Sequence, residues 1–212
     1  MGLNLGSGAL DALDVRLGSV TPPAVYHGSV LVWPLTEATW DGGFEPIATI
    51  TVGAGGASSI EFVDIPQTFS HLQVRGIFRA DGTGGPGLSA RLNSDTGDNY
   101  ARHGLSGDGA SASAFGVGAD NFMSVGGMPT TSQTAGKFSA LVLDILDYAS
   151  TSKKTTVRSL CGQDYDGSGD IMLRSGLWMS TAAVSSITFL DTSGRNFVQY
   201  SQAALYGIGE VV

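Results

Sequence analysis

The stretch HLQVRGIFR, from His71 to Arg79, decides the fold class, because apolar and polar side chains alternate along it. The apolar set is Leu72, Val74 and Phe78, and the polar set is His71, Gln73, Arg75 and Arg79. Successive side chains of an extended chain point to opposite faces, so this alternation predicts a strand with one buried face and one face in water. Such strands are typical of antiparallel sheets.

Segments of similar character follow one another from Pro46 to the end of the chain, with turn-forming residues between them. They are PIATITV, SSIEFVDI, GLSARLNSD, GDNYARHGLSG, KFSALVLDILDY, KKTTVRSLCG, DIMLRSGLWMS, VSSITFLD and FVQYSQAALYGI. No helical crossover, which parallel pairing would require, is recognisable between them. We therefore predict an all-β fold, an antiparallel β-sandwich or jelly roll of about ten strands.

Two parts of this region have more specific predictions. The apolar run FSALVLDILDY, Phe138 to Tyr148, predicts a central strand that is covered on both faces. The stretch from Asp108 to Ala135 is rich in Gly, Ala and Ser and has little pattern, which predicts a long exposed excursion.

The first 34 residues are organised differently, as short repeats. VRLGSV, Val15 to Val20, returns as VYHGSV, Val25 to Val30, and Pro22 and Pro23 make the connection between the two copies rigid. Short strand-and-turn units bury little by themselves, so we expect another surface or chain to order them. The sequence thus predicts an extended N-terminal attachment arm of strand-turn repeats at 1–34, a linker at 35–46 and a jelly-roll-like β-sandwich domain at 47–212.

The net charge of −8 makes the chain repel nucleic-acid phosphates and anionic membranes. Its arginines stand singly, without the clustered basic stripe of a nucleic-acid-binding surface. No apolar run approaches about 18 residues, the length that spans a membrane. Neither a nucleic-acid partner nor membrane insertion is expected. The single Cys161 and a start without a secretory leader indicate synthesis and folding in a cytosol.

The segment CGQDYDGSGDIMLRSG, Cys161 to Gly176, resembles a calcium-binding loop in the spacing of its oxygen-bearing side chains. The candidate ligands are Asp164, Asp166, Ser168 and Asp170. Ser175 stands where a bidentate Glu is required, and the residues that follow have the pattern of a strand instead of a helix. We predict a tight turn between two strands, with calcium binding as the less favoured alternative.

Patterns of catalytic or cofactor chemistry are weak. There is no Gly-x-Ser-x-Gly elbow, and His27, His71 and His103 are too scattered to form a zinc-ligand pair. The stretch GTGGPG, Gly82 to Gly87, precedes a strand-like segment, whereas a dinucleotide site needs a helix, so a loop tip is predicted.

Paired carboxylates, the requirement of a glycosidase, are also poorly placed. Asp144 and Asp147 fall on opposite faces of a strand, and Asp164 and Asp166 belong to the predicted turn. We expect no enzymatic activity and no cofactor. Aromatic side chains that could stack on sugar rings are Tyr100, Tyr165, Trp178 and Tyr200. A place in the core or in a subunit interface is the favoured interpretation for most of them.

The segment LGSVTPPAVYHGSVLVWP, Leu17 to Pro34, resembles the Leu-Gly-Ser, Val-Tyr-x-Gly-Ser and Val-Trp-Pro opening of many tailed-bacteriophage virion proteins. Later segments resemble the β-rich domain of phage minor tail, fibre or head-surface proteins; they are ITVGAGGASSIEFVDIPQTFSHLQVRGIFR, LVLDILDYASTSKKTTVRSLCG, LRSGLWMSTAAVSSITF and FVQYSQAALYGI. The resemblance implies an arm that docks on other virion subunits. The arm residues are Leu17, Gly18, Ser19, Val25, Tyr26, Gly28, Ser29, Val32, Trp33 and Pro34.

This resemblance implies a non-enzymatic virion structural protein, made and assembled in the host cytoplasm and exposed on the tail as a minor tail or fibre protein with a role in host attachment. A capsid decoration or head-fibre protein is the first alternative, and a carbohydrate-binding module, with or without calcium, is the second. The implied partners are other virion proteins, further copies of the same chain and a host-surface glycan. Sheets with apolar faces and an extended arm suit assembly through repeated interfaces.

Overall fold

A computed structural model describes residues 25–27, 30–33, 43–84 and 87–210 of the chain. The chain divides into two compact units, Met1–Asp41 and Gly42–Val212. The described part of the first unit is an antiparallel hairpin of β1 (Val25–His27) and β2 (Val30–Trp33). The other predicted arm residues lie outside the described residues; they are Leu17, Gly18, Ser19, Gly28, Ser29 and Pro34.

The described residues of the second unit form an antiparallel β-sandwich without helices. Its strands are β3 (Phe44–Thr51), β4 (Ser59–Phe62), β5 (Phe69–Phe78), β6 (Leu88–Leu92), β7 (Tyr100–Gly107), β8 (Ala112–Asp120), β9 (Met123–Gly126), β10 (Ser139–Leu146), β11 (Thr155–Asp164), β12 (Gly169–Trp178), β13 (Ile187–Leu190) and β14 (Gln202–Glu210). The larger sheet has eight strands in the order β3-β14-β5-β10-β11-β12-β7-β8, and the smaller has four in the order β4-β13-β6-β9. The predicted fold class is confirmed. The described residues contain no helix that could span a membrane.

The path of the chain between the sheets is that of a jelly roll into which two hairpins, β7-β8 and β11-β12, are inserted. Without them the larger sheet has the order β3-β14-β5-β10, opposite β4-β13-β6-β9 in the smaller sheet. The first strand of the domain thus pairs with the last, and the second strand pairs with the last but one, as Greek-key connections require. The two hairpins widen the larger sheet beyond β10.

The core fills the space between the two sheets. Leu72, Val74 and Phe78 on the inner face of β5 are completely buried. The Phe78 ring centroid lies 5.6 Å from that of Phe189 on β13 and 5.8 Å from that of Phe197. The alternation in HLQVRGIFR therefore does mark the buried face of a strand, and removal of these side chains from water is the main stabilising term of the sandwich.

Arg79 does not lie in water as its place in the alternation predicts. It follows the last residue of β5, is 7% exposed, and donates hydrogen bonds of 2.9–3.0 Å to the carbonyl oxygens of Gln133, Thr134 and Lys137. The prediction failed because the alternation was extended one residue beyond the strand. Arg79 holds the connection between β9 and β10.

The expectation of an exposed excursion between Asp108 and Ala135 is wrong. β8 is largely exposed, but β9 belongs to the smaller sheet, and its Met123 and Val125 are each 1% exposed. Met128 and Thr130 further along are completely buried. Gly, Ala and Ser have low strand propensity, so the strand signal was weak, and tertiary packing overrides it.

β10 is central in the larger sheet, but the described residues of the second unit cover only one of its faces. Leu141, Leu143 and Ile145 face the core, whereas Val142 and Leu146 on the outer side are 37% and 42% exposed. The predicted second cover is not found among the described residues of the second unit, because the smaller sheet packs on one side only.

β3 begins at Phe44, inside the segment predicted as a linker. The strand therefore includes Pro46, which lies opposite Tyr206 where the register with β14 shifts. Proline is tolerated here because β3 is an edge strand of the sheet.

Candidate interaction surface

An apolar band crosses the outer face of the larger sheet. The strand register places Val142, Leu160, Leu173 and Leu105 side by side on β10, β11, β12 and β7. Their exposed fractions are 37%, 50%, 49% and 53%. Neighbouring strands are about 4.8 Å apart, so these side chains form one continuous strip.

The next row of the same face extends this strip. It contains Ile77, 44% exposed, and Ile171, 60% exposed, and otherwise small residues, namely Ala140, Gly162, Gly107 and Ala112. We name the six large residues of both rows the outer apolar band; they are Ile77, Leu105, Val142, Leu160, Ile171 and Leu173. Contiguous apolar patches of this kind mark interaction surfaces.

A polar network borders the band. Asp144 accepts hydrogen bonds from Gln73 Nε2 at 2.8 Å and from an Arg158 guanidinium nitrogen at 2.7 Å, and Arg75 Nε donates to Gln73 Oε1 at 2.8 Å. Partial burial acts to raise the pKa of Asp144, but the hydrogen bonds from Arg158 and Gln73 outweigh it, and the pKa lies below its ordinary value. The carboxylate is thus ionised at neutral pH and its charge is compensated by Arg158.

The structure gives Asp144 and Asp147 separate partners. Asp147 follows the end of β10 with a φ of 49°, its carboxylate contacts the Lys153 ammonium, and its backbone N–H donates to His71 Nδ1 at 3.0 Å. The hydrogen bond from Lys153 lowers the pKa of Asp147. Each carboxylate is thus paired with its own cation, Asp144 with Arg158 and Asp147 with Lys153.

At one end of the outer face a shallow hollow of about 640 Å³ lies between the β7-β8 turn and the β11-β12 turn. Small residues form part of its floor, among them Gly107, Ala140 and Gly162. Asp108 on its rim accepts hydrogen bonds from the backbone N–H groups of Ser111 and Ala110 at 2.7 and 2.9 Å, which lower the pKa of its carboxyl group.

The calcium candidates lie at or near this rim, in the tight turn that the sequence predicts. Tyr165 N donates to Ser168 O at 2.7 Å, and Asp164 Oδ1 accepts a hydrogen bond from Asp166 N at 3.0 Å. Asp166 pairs with Lys137 Nζ at 2.6 Å, and Asp170 accepts from Gln163 Nε2 at 3.0 Å. In the part of the chain that the structure describes, no three His, Cys, Asp or Glu residues converge as metal ligands.

The remaining candidates are dispersed. Tyr100 and Trp178 are 0% and 3% exposed, which confirms the core interpretation for both. Tyr165 is half-buried, and Tyr200 is 64% exposed. His71 pairs with Asp147, and His103 is exposed on the outer face of β7. Gly82 to Gly84 form a bend, as predicted for a loop tip, while Gly85, Pro86 and the His27 side chain lie outside the description.

The outer apolar band was not identified from the sequence, although its signal was present. In FSALVLDILDY the residues of both strand faces are apolar, which led to the prediction of two covered faces. The described residues of the second unit do not supply the second cover. Comparison with protein-family models, with curated proteins and with solved structures gives no match. The fold and its surface therefore define a class only: a jelly-roll domain with an apolar outer sheet face that its own described residues leave exposed.

Proposed function

We propose that this protein is a non-enzymatic structural subunit of a larger assembly, in which a neighbouring subunit covers the outer apolar band. The observation that carries the proposal is the row of four half-exposed aliphatic side chains on adjacent strands, Val142, Leu160, Leu173 and Leu105. Exposure of such a row to water is unfavourable by about 25 cal/mol per Å² of apolar surface, and burial in an interface removes this unfavourable free energy.

The particular assembly that we propose is the virion of a tailed bacteriophage, with the tail as the location and host attachment as the role. Two features support this assignment. One is the resemblance of Leu17 to Pro34 to the opening of phage virion proteins. The other is the jelly-roll path of the domain, an architecture found in viral capsid and lectin domains. A capsid decoration or head-fibre protein has the same surface requirements and is the alternative location.

Incorporation into particles tests this proposal. Purified virions of the phage that encodes the chain should contain it, as detected by mass spectrometry. A chain without residues 1–34 should fold but should no longer join particles lacking the wild-type protein, because the arm is proposed to dock on neighbouring subunits. Full incorporation of the shortened chain would contradict the role of the arm, and absence of the wild-type chain from virions would contradict the proposal itself.

Two assays separate the tail from the capsid. Purified protein should compete with virions for adsorption to host cells if it is a tail adhesin. If it is a decoration protein, its removal should instead lower the resistance of capsids to heat and osmotic shock.

A carbohydrate-binding function is the second candidate, and the hollow beside Gly107, Ala140 and Gly162 favours it. A Cβ at Gly162 meets no atom within 4 Å, so Gly162→Leu should fill the hollow without strain. Gly53→Leu is the control, because a Cβ at Gly53, which lies in a loop away from the hollow, also meets no atom within 4 Å. Loss of a glycan-array signal in the first variant alone would establish the site, and a chelator arm would reveal any calcium requirement. No signal with or without chelator would contradict this function.

A further inference from the structure

One edge of the larger sheet has no strand beside it among the described residues of the second unit. β8 is the last strand in the sheet order and pairs only with β7 among the described residues. Its nine residues, ASAFGVGAD, contain no Lys, Arg or Pro, and its one charged residue is Asp120 at the end. Native proteins usually protect long edge strands with charge, proline or short length, because an open edge is a template for another strand.

The other sheet edges have such protection. β3, at the opposite side of the larger sheet, contains Glu45, Pro46 and a register shift. The edge strands of the smaller sheet, β4 and β9, are only four residues long. β8 therefore differs from every other sheet edge in the second unit as described.

The hairpin geometry shows which backbone groups of β8 are free. Asp108 N donates to Ser111 O across the turn, so these two residues form a hydrogen-bonded pair. Hydrogen-bonded and non-hydrogen-bonded pairs alternate along an antiparallel ladder. Three pairs are consequently non-hydrogen-bonded; they are Gly107 with Ala112, Leu105 with Ala114 and His103 with Gly116. The N–H and C=O groups of Ala112, Ala114 and Gly116 thus point away from β7.

We propose that two copies of this chain pair antiparallel through β8, in a register centred on Ala114. In this register Ala114 lies opposite its own copy and Ala112 lies opposite Gly116, and each such pair exchanges two backbone hydrogen bonds. The strand complements itself about a twofold axis, so the second copy needs no other sequence. This inference deepens the proposed function, since it rests on the chain being a subunit of an assembly and names the contact between two subunits.

The uncharged middle of β8 lets a second copy approach this edge. Two chains of net charge −8 repel each other, but the segment from Ala112 to Ala119 carries no charged side chain, so contact there opposes no like charges. This register places Asp120 opposite Asp108 of the second copy, where Arg102 compensates Asp120 at 2.5 Å and the backbone N–H groups of Ala110 and Ser111 donate to Asp108. Ala114 and Leu105 lie in the same row of the sheet, so pairing would join the outer apolar bands of both copies into one surface.

The test compares the full chain with Ala114→Pro and Ala114→Ser in sedimentation velocity. Proline removes the Ala114 N–H, which points away from β7, so the β7-β8 ladder keeps its hydrogen bonds. Serine keeps the N–H. The wild type and Ala114→Ser should dimerise at micromolar concentration, and Ala114→Pro should weaken dimerisation at least about tenfold with an unchanged circular dichroism spectrum. A monomeric wild type, or equal dimerisation of the folded proline variant, would overturn the proposal.

Amide hydrogen exchange of the wild type tests the same contact without a mutation. The amides of Ala112, Ala114 and Gly116 should exchange slowly in concentrated solution and rapidly after dilution. Rapid exchange of these amides in an associated sample overturns pairing through β8 and leaves the assembly function intact. Slow exchange in a dimer of a protein that virions lack would instead contradict the phage assignment and leave β8 pairing intact.

Discussion

At the scale of single residues, the approach of β9 to β11 depends on one missing side chain. A Cβ at Gly126 would lie 2.6 Å from Cys161 Sγ and 2.8 Å from Cys161 Cβ. Cys161 is 1% exposed and its Sγ donates to Gly127 O at 3.2 Å, so it has little room to move. Burial also raises the pKa of the Cys161 thiol, which keeps it neutral at this contact.

We therefore expect Gly126→Ala to lower the free energy of unfolding by about 1–3 kcal/mol, the usual cost of overpacking a core. Urea unfolding at neutral pH measures this loss. Gly162→Ala is the control, because a Cβ there meets no atom within 4 Å. Equal stability of the two variants would show that β9 does not pack closely on β11.

A second residue-scale prediction concerns Asp95 and the indole of Trp178. Trp178 Nε1 donates to Asp95 Oδ2 at 2.7 Å, and this hydrogen bond is the main cause that lowers the pKa of Asp95 below its ordinary value. A carboxyl group whose pKa is lowered by folding stabilises the folded state at every pH above its unfolded-state pKa. This stabilisation is lost as the pH falls through the folded-state pKa.

Trp178→Phe should remove this hydrogen bond. Its loss should lower the free energy of unfolding at pH 7 by about 1 kcal/mol, because a hydrogen bond to a charged group is weakened by solvent screening. The variant should also lose less stability than the wild type between pH 5 and about pH 3. Urea midpoints at both pH values measure this, with Asp98→Asn in the same loop as a control. An unchanged pH dependence in Trp178→Phe would contradict the role of the indole.

At the scale of elements, Arg79 fixes the connection between β9 and β10. Arg79→Met should leave the carbonyl oxygens of Gln133, Thr134 and Lys137 without this hydrogen-bond donor. We expect the free energy of unfolding to fall by about 2–4 kcal/mol. Thermal unfolding measures the loss, and limited proteolysis should locate new cleavage between 127 and 138. Arg75→Met is the matched control, because Arg75 is exposed and its guanidinium carbon lies 4.7 Å from the centroid of the Phe44 ring. This substitution should lower the free energy of unfolding by less than about 1 kcal/mol. Equal effects would contradict the proposed anchoring.

The elements themselves were predictable from the sequence to the extent that their periodicity was strong. Each of the ten predicted strand segments overlaps a strand of the sandwich. β8 and β9 were not predicted, because their sequences are rich in Gly, Ala and Ser and have little β-propensity. Long-range packing, such as Ser159 Oγ donating to Val125 O at 2.6 Å, stabilises β9 and leaves no local pattern in the sequence. The register that brings Leu173 beside Leu105 is likewise set by pairing of distant segments.

At the scale of the whole molecule, the sequence and the structure contribute different parts of the functional argument. The arm from Leu17 to Pro34 was selected from its resemblance to virion proteins, and its role in docking stays a prediction. The outer apolar band emerged only when strand register placed residues from four strands in one row. The apolar outer positions of β10 predicted a second cover, and its supply by another chain is part of the proposed function.

Incorporation of lysine variants into virions tests the central claim most directly. Leu160→Lys combined with Leu173→Lys changes two half-exposed residues of the band, and Val63→Lys combined with Tyr200→Lys changes two residues, 60% and 64% exposed, outside it. Both double variants should fold with near wild-type stability, since all four positions are exposed. If a neighbouring subunit covers the band, quantitative mass spectrometry of purified virions should show incorporation of the first variant reduced at least about tenfold and incorporation of the second unchanged. Equal incorporation of both variants would contradict the account.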